Sequence, residues 1–248
     1  MLQKEDFASI GFLSSELGVS ETTIRRDLGK LQTKGLLSKT YGGATSNSRA
    51  RFELSFASRE TEKEAEKQAI GAAAASLIDD GDTIIIDSGT TTMQVARFIG
   101  RRADLMVATT ALNVALELEG RAGITVILTG GTLRAKTHAL VNPLALDVLK
   151  QINADKAFVG VGGVSVESGI TSADFADAEV KRAIRAASQK LVVVADHSKF
   201  NRRAAALVFP LSGVDVLVTD DKAPPEELKR IREAGISVVV APAELRPA

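Results

Sequence analysis

The sequence predicts an α/β protein: a small N-terminal helix-turn-helix followed by a mostly parallel, Rossmann-like domain. Three observations carry this. A basic amphipathic helix lies near the N-terminus, between Leu17 and Leu31. Beyond it, short runs of Ile, Val and Leu alternate with helical segments to the end of the chain. Several of those runs end in glycine- or hydroxyl-rich tails. A length of 248 residues suits one unit of about 60 residues and another of about 170 to 190. The expected organisation is 1–48 for the helix-turn-helix, 49–78 for a linker and connecting helix, and 79–248 for the α/β domain.

In the first segment, Ser20 is a good N-cap, because its hydroxyl can accept from an orphan N–H of the helix that follows. Ile24, Leu28 and Leu31 recur at i, i+4, i+7 as one apolar stripe. Thr22, Thr23, Arg25, Arg26 and Lys30 occupy the opposite face. Leu13 to Leu17 reads as the preceding short helix, closed by Gly18. Short polar groups in the first turn and arginines one turn on suit base edges and phosphates. An ordinary solvated helix is the alternative, since most charge runs are that. The surroundings weigh against it: between Thr22 and Arg51 the bases are Arg25, Arg26, Lys30, Lys34, Lys39, Arg49 and Arg51, and the sole acid is Asp27. That field sits in a chain whose 31 basic and 31 acidic residues cancel to +0, so one basic patch on a neutral body is expected.

The remaining composition excludes several classes. Without Cys there is no disulfide framework, which fits a reducing cytoplasm. No stretch approaches the ~20 apolar residues of a membrane span, and no basic-then-apolar leader opens the chain. His138 and His197 are the two histidines, too few for a metal site without clustered carboxylates. No metal, cofactor or catalytic residue is expected.

Thr45 to Ser58 is polar and aperiodic, a linker in which Phe52, Leu54 and Phe56 alternate. From Arg59 the chain turns helical, with Ala69, Ile70, Ala73, Ala74, Leu77 and Ile78 inward and its Glu and Lys residues outward. Strands are expected at Thr83–Asp87, Leu105–Thr109, Ile124–Thr129, Lys156–Val161, Leu191–Asp196, Val214–Thr219 and Ile236–Val240. Helices are expected at Thr92–Ile99, Leu112–Leu118, Leu144–Ile152, Asp174–Ser188 and Pro225–Ala234. Near-continuous apolar strands spaced by helices imply a parallel sheet covered on both faces, and ligands of such sheets bind at the carboxyl ends of the strands.

Four of those ends carry candidate ligand groups. Asp87, Ser88, Gly89, Thr90, Thr91 and Thr92 run from a strand into a helix, where N–H groups, hydroxyls and the helix dipole suit a phosphate. No GxxxxGK[ST] is present, so nucleotide hydrolysis has no support. Gly130 and Gly131 permit close backbone approach, and Arg134 can hold an anion bidentately. Gly162 and Gly163 end a third strand. Asp196 and Lys199 end a fourth, as a hydroxyl acceptor and a point-charge partner. Glu179 and Lys181 read as a surface pair.

GVSETTIRRDL followed by LLSKTYGGA resembles the winged helix-turn-helix of the DeoR family of bacterial transcription regulators. Tyr41 and Gly42 would then fall at the end of the wing. IIIDSGTTT, ILTGGTLR, ADKAFVGVGGV and VVVADHSKF resemble the effector domain of that family, which is similar to sugar-phosphate isomerases such as ribose-5-phosphate isomerase and glucosamine-6-phosphate deaminase. The resemblance implies a regulator, most often a repressor of carbohydrate or polyol utilisation. It would bind a double-stranded DNA operator as a homodimer or homotetramer and take a phosphorylated sugar or polyol at Ser88 to Thr92. The chain departs from the family at Thr109-Thr110, where Thr-Asn is frequent, and at Asn142, where Gly is common. Family members also have a full helix before Leu13, whereas only about a dozen residues precede it here; Leu2 to Glu5 reads as the tail of that helix, and the reading head would lack a packing partner. Two rivals are a sugar-phosphate isomerase-type enzyme, for which the N-terminal segment has no use, and an architectural DNA binder, which needs no polar strand-end loops.

Overall fold

The computed structural model describes residues 7–33, 37–40, 42–46 and 55–242, with the side chains of 38, 45 and 46 excepted. The chain divides into two compact units, Met1–Ser58 and Arg59–Ala248.

In the first unit β1 (Phe7–Ser9) leads into α1 (Ile10–Leu17) and α2 (Glu21–Thr33), followed by the hairpin of β2 (Leu37–Thr40) and β3 (Gly43–Ser46). The strands form an antiparallel sheet in the order β1-β3-β2. Ser9 caps α1 by accepting from Phe12 N–H at 3.1 Å, so the helix starts before Leu13. Gly18 ends it with φ +65°, a left-handed turn that costs glycine nothing. Ser20 Oγ accepts from Thr23 N–H at 3.3 Å and starts α2. The core is Ala8, Ile10, Leu13, Ile24, Leu28, Leu37 and Ala44. Leu31 departs from the expected stripe: it is 37 % exposed, because α2 runs past this small core.

The second unit opens with α4 (Glu64–Ala75), after the short α3 (Phe56–Glu60) that crosses the boundary. The chain continues as β4 (Thr83–Ile86), α5 (Thr90–Phe98), β5 (Leu105–Thr109), α6 (Leu112–Leu118), β6 (Ile124–Leu128), β7 (Thr132–Arg134), β8 (Ala139–Val141) and α7 (Pro143–Leu149). It ends as β9 (Ala154–Gly160), β10 (Gly163–Ser165), β11 (Gly169–Ser172), α8 (Phe175–Ala186), β12 (Ser188–Val194), β13 (Ala206–Phe209), β14 (Val216–Asp220), α9 (Pro225–Glu233) and β15 (Ser237–Ala241). Seven strands form one parallel sheet in the order β15-β14-β12-β9-β4-β5-β6. All seven expected runs fall in this sheet.

Alternation along the strands divides the core. Ile85, Ala108, Val159, Val193 and Leu217 pack with residues of α7, α8 and α9. Ile84, Ile86, Phe158, Val192 and Val194, also buried, leave on the other face, toward α4 and α5. Those two helices cross closely: a Cβ at Gly71 would lie 2.4 Å from Gln94 Cβ. The outward-facing Glu and Lys of the connecting helix are corrected at Glu66 and Lys67, which are buried. Two antiparallel additions were not expected, the β7–β8 hairpin and the β10-β11-β13 sheet.

Candidate functional site

On the first unit, Ser20, Thr22, Thr23, Arg25, Arg26, Lys30, Lys39 and Gly42 are all exposed. Arg25 Nη2 lies 3.2 Å from Glu21 Oε2 and Lys30 Nζ 3.8 Å from Asp27 Oδ1, loose pairs that a phosphate can displace. Lys39 Nζ donates to the Arg25 carbonyl at 3.1 Å, so the hairpin strand β2 lays its cation across α2. Gly42, φ +83°, stands between β2 and β3. Tyr41, Lys34, Arg49 and Arg51 lie outside the described residues.

On the second unit, β12, β9 and β4 are adjacent, so their carboxyl-end loops lie side by side. A Cβ at Gly160 would be 3.7 Å from Thr92 Cγ2 and 4.0 Å from the Ser88 carbonyl. The β4 loop enters α5 through Gly89, with Thr92 Oγ1 bonded back to the Gly89 carbonyl at 3.1 Å. Thr90, Thr91 and Thr92 are buried. Asp196 caps the turn His197–Lys199, its Oδ1 accepting from Ser198 N–H at 3.0 Å and Ser198 Oγ at 2.5 Å. Asp220 fixes the same turn from β14: its carboxylate accepts from His197 N–H at 2.7 Å and meets His197 Nδ1 at 2.9 Å.

A cation cluster gathers around this loop. Burial lowers the Lys199 pKa, partly offset by Asp196, with Arg202 and Arg59 adding repulsion. Burial also lowers Lys67, to about 8, against the attraction of Asp196 and Glu62. Lys67 Nζ donates to the carbonyls of Arg59 and Glu62. Lys67 and Lys199 thus repel each other, both are repelled by Arg59, and both are attracted by Asp196 and Glu62.

Across the sheet lies a second cluster. Lys181 of α8, read from sequence as a surface residue, is 3 % exposed. Its Nζ is 2.5 Å from Asp87 Oδ2 and 3.0 Å from Asp177 Oδ1. Burial opposes the Lys181 charge, but the two carboxylates outweigh it and raise its pKa. Burial raises Asp87 to about 6, with Lys181 offsetting part of the rise. Arg134 Nη1 pairs with Asp174 Oδ1 at 2.8 Å, and Asp174 caps α8. The expected bidentate anion holder is therefore already engaged within the chain.

The four expected strand ends thus part company. The loop of β4 and that of β12 flank the end of β9, whereas Gly130, Gly131 and Arg134 follow β6, two strands beyond β4. Gly162 and Gly163 serve close packing: Gly162 N–H donates to the Thr171 carbonyl at 2.8 Å, and a Cβ at Gly163 would lie 2.0 Å from the Arg202 carbonyl. Lys67, Lys181 and Asp177 were missed. The signal was spacing: Lys67 stands three and seven residues before Ile70 and Ala74, and Lys181 three before Ile184, all buried positions. Among the described residues no group of acids, histidines and cysteines suits a metal, and no helix is long and apolar enough to cross a membrane.

A reading head and a ligand-type α/β body are the parts of a transcription regulator, and comparison with known proteins agrees. The DeoR-like helix-turn-helix domain matches residues 1–50 and the DeoR C terminal sensor domain residues 62–221. The chain is 34% identical over 239 residues to the HTH-type transcriptional regulator GlpR of Haloferax volcanii, covering 96% of this chain and 93% of that protein. It is 30% identical over 241 residues to a putative aga operon transcriptional repressor of Escherichia coli O157:H7, covering 96% and 90%. The transcriptional repressor AccR of Agrobacterium fabrum is 34% identical over 221 residues, with 89% and 86% covered. Ribose 5-phosphate isomerase from Plasmodium falciparum is a structural neighbour at 15% identity and TM-score 0.40, over 56% of this chain and 53% of that one. The chain belongs to the DeoR family of transcription regulators.

Proposed function

We propose that the protein represses a carbohydrate or polyol utilisation operon in the cytoplasm, released from or directed to its operator by a phosphorylated sugar. The observation that carries this is the crowding of buried lysines around the β12 loop, which with the β4 loop flanks the end of β9. Two lysines that repel each other and Arg59, held under burial that already depresses both, are relieved by a dianion. The α5 N-terminus, with Thr90 and Thr91, adds neutral donors at the end of β4, on the far side of β9. One α2 reads few bases, so two heads on a homodimer, or four on a homotetramer, would read a palindrome with half-sites about one helical turn apart. The effector acts only through its unequal affinity for the two states.

Fluorescence anisotropy on an operator fragment, with and without a panel of phosphate esters and the free sugars, tests this. Esters shift the DNA-bound fraction and free sugars do not; a panel without effect ends the switch reading. Arg25→Ala and Arg26→Ala weaken DNA binding and lower its salt slope by about 1 each, leaving ester binding intact. Turnover of pentose or hexosamine phosphates would favour an enzyme instead.

A further inference from the structure

The parallel sheet of the second unit has an open edge at β6, which among the described residues pairs with β5 alone. At its two ends the Gly123 carbonyl accepts from Leu105 N–H at 2.9 Å, and Thr129 N–H donates to the Thr109 carbonyl at 3.1 Å. Bonding residues alternate along a parallel ladder, so Gly123, Thr125, Ile127 and Thr129 are the ones that face β5. Ile124, Val126 and Leu128 therefore turn their N–H and C=O groups away from the sheet.

The side chains of these three share one face of the strand. With Leu112 and Leu116 of α6 they line a groove of about 360 Å³ that opens along the same edge. Leu128 is 40 % exposed and Leu116 61 %. Edge strands are ordinarily guarded by a charge, a proline or a covering element, because an apolar open edge invites another strand. Here the run from Ala122 to Leu133 contains neither a charge nor a proline.

We propose that β6 is a dimer interface: the β6 of a second copy of this chain pairs with it antiparallel, about a two-fold axis at Val126, and joins the two sheets into one. The bonding alternation sets the register. Val126 opposes Val126 and Ile124 opposes Leu128, and all of these point their N–H and C=O groups outward, so each opposed pair exchanges both bonds. Sliding the copies by two residues leaves part of the row without a partner. The axis stands perpendicular to the sheet, so both α6 helices lie on one face and the two grooves run together.

Charge selects a second copy over an unrelated strand. Side chains near a two-fold axis meet their own kind, and any charge there would face itself. The neutral run avoids this. Glu119, which lines the groove, stands at the end of α6 where β6 begins, and there the partner contributes its uncharged stretch from Leu128 to Leu133. The inference rests on the homo-oligomer reading above and gives it a surface.

Sedimentation of the full chain, joined to disulfide trapping, tests it. The wild type sediments as a dimer or a multiple of one. Leu128→Lys puts a charge on the row, and Val126→Pro removes an outward N–H without touching a bond to β5. Each raises the dimer dissociation constant at least about tenfold, taking dimer to monomer or tetramer to dimer, while a cooperative melt shows the fold intact. The chain has no cysteine, so Val126→Cys can form a disulfide only between copies. Opposed residues of a hydrogen-bonded antiparallel pair have Cα atoms about 5.5 Å apart, within disulfide reach, and mild oxidation yields a covalent dimer. Val240→Lys and Val240→Cys, at an exposed site on the opposite edge strand β15, neither dissociate nor trap the protein. A wild-type oligomer that both β6 variants leave intact, and that is not trapped at position 126, overturns the inference while the homo-oligomer reading stands. Dissociation and trapping at position 240 instead do the same. A wild type that is monomeric at every concentration overturns both.

Discussion

Two charged clusters sit on opposite faces at one sheet edge, and they answer burial in opposite ways. On the α7–α8 face Lys181 is enclosed by two carboxylates at 2.5 and 3.0 Å, and the charges are compensated within the protein. Around the β12 loop Lys67, carried by α4, and Lys199 share Asp196, and burial depresses both lysines. The first arrangement has the character of a rigid floor, since a closed pair has nothing to gain from an added ion. The second is poised, since an anion supplies what the fold omits. Electrostatic imbalance, rather than the mere presence of charge, separates the two.

The largest effect comes from breaking the compensated pair. Lys181→Met leaves the fully buried Asp87 carboxylate without its counter-ion, and denaturant unfolding should show a loss of about 3–5 kcal/mol. Adding Asp87→Asn should recover most of it; no recovery would show that Asp177 governs the pair. Next comes the poised cluster. Lys199→Ala should leave thermal stability and operator affinity near wild type while raising the ester concentration needed for response by about tenfold or more. A destabilised Lys199→Ala would erase the contrast between the clusters.

The contrast also predicts a pH dependence. Lys67 titrates near 8, below the ordinary lysine value, because of burial. Its charged form is the one an anion binds, so ester affinity should be steady below pH 7 and fall as the pH rises through 8, by at most about fivefold between pH 8 and 9 for one proton. The sign for folding is the reverse: the depressed lysine pKa favours the folded state increasingly as pH rises from about 8 toward its unfolded value near 10.5. Titrations across this range check both. A further effect is mechanical: Gly71→Ala places a methyl against Gln94 at 2.4 Å, and the helices must part at a cost of about 1–3 kcal/mol. Because α4 carries Lys67 and α5 follows the β4 loop, ester binding should weaken with stability in this variant, unlike in Lys199→Ala.

Much of this was legible in the residues. The seven parallel strands announced themselves as Ile, Val and Leu runs, because central strands buried on both faces have no polar alternation to confuse the eye. The antiparallel additions did not, because β7, β8 and β10 span three residues each and borrow their order from the sheet they cap. Thr92, Asp196 and Lys199 were singled out because they follow the carboxyl ends of apolar runs. Lys67 and Lys181 were missed because helix lysines default to solvent; their register with buried positions pointed inward, and a partner elsewhere in the sequence makes such a position tolerable. For Lys181 that partner, Asp87, lies 94 residues upstream. Arg134 shows the converse, a residue chosen for its chemistry whose guanidinium the fold had already engaged at Asp174.

The grip of Lys67 on the Arg59 and Glu62 carbonyls has one more consequence. Those carbonyls belong to the first turn of backbone by which the chain enters the body from the reading head. A single ammonium group therefore moors that entrance while facing the crowd of cations beside it. Genetics cannot divide those duties at position 67: any replacement that unloads the mooring also thins the crowd.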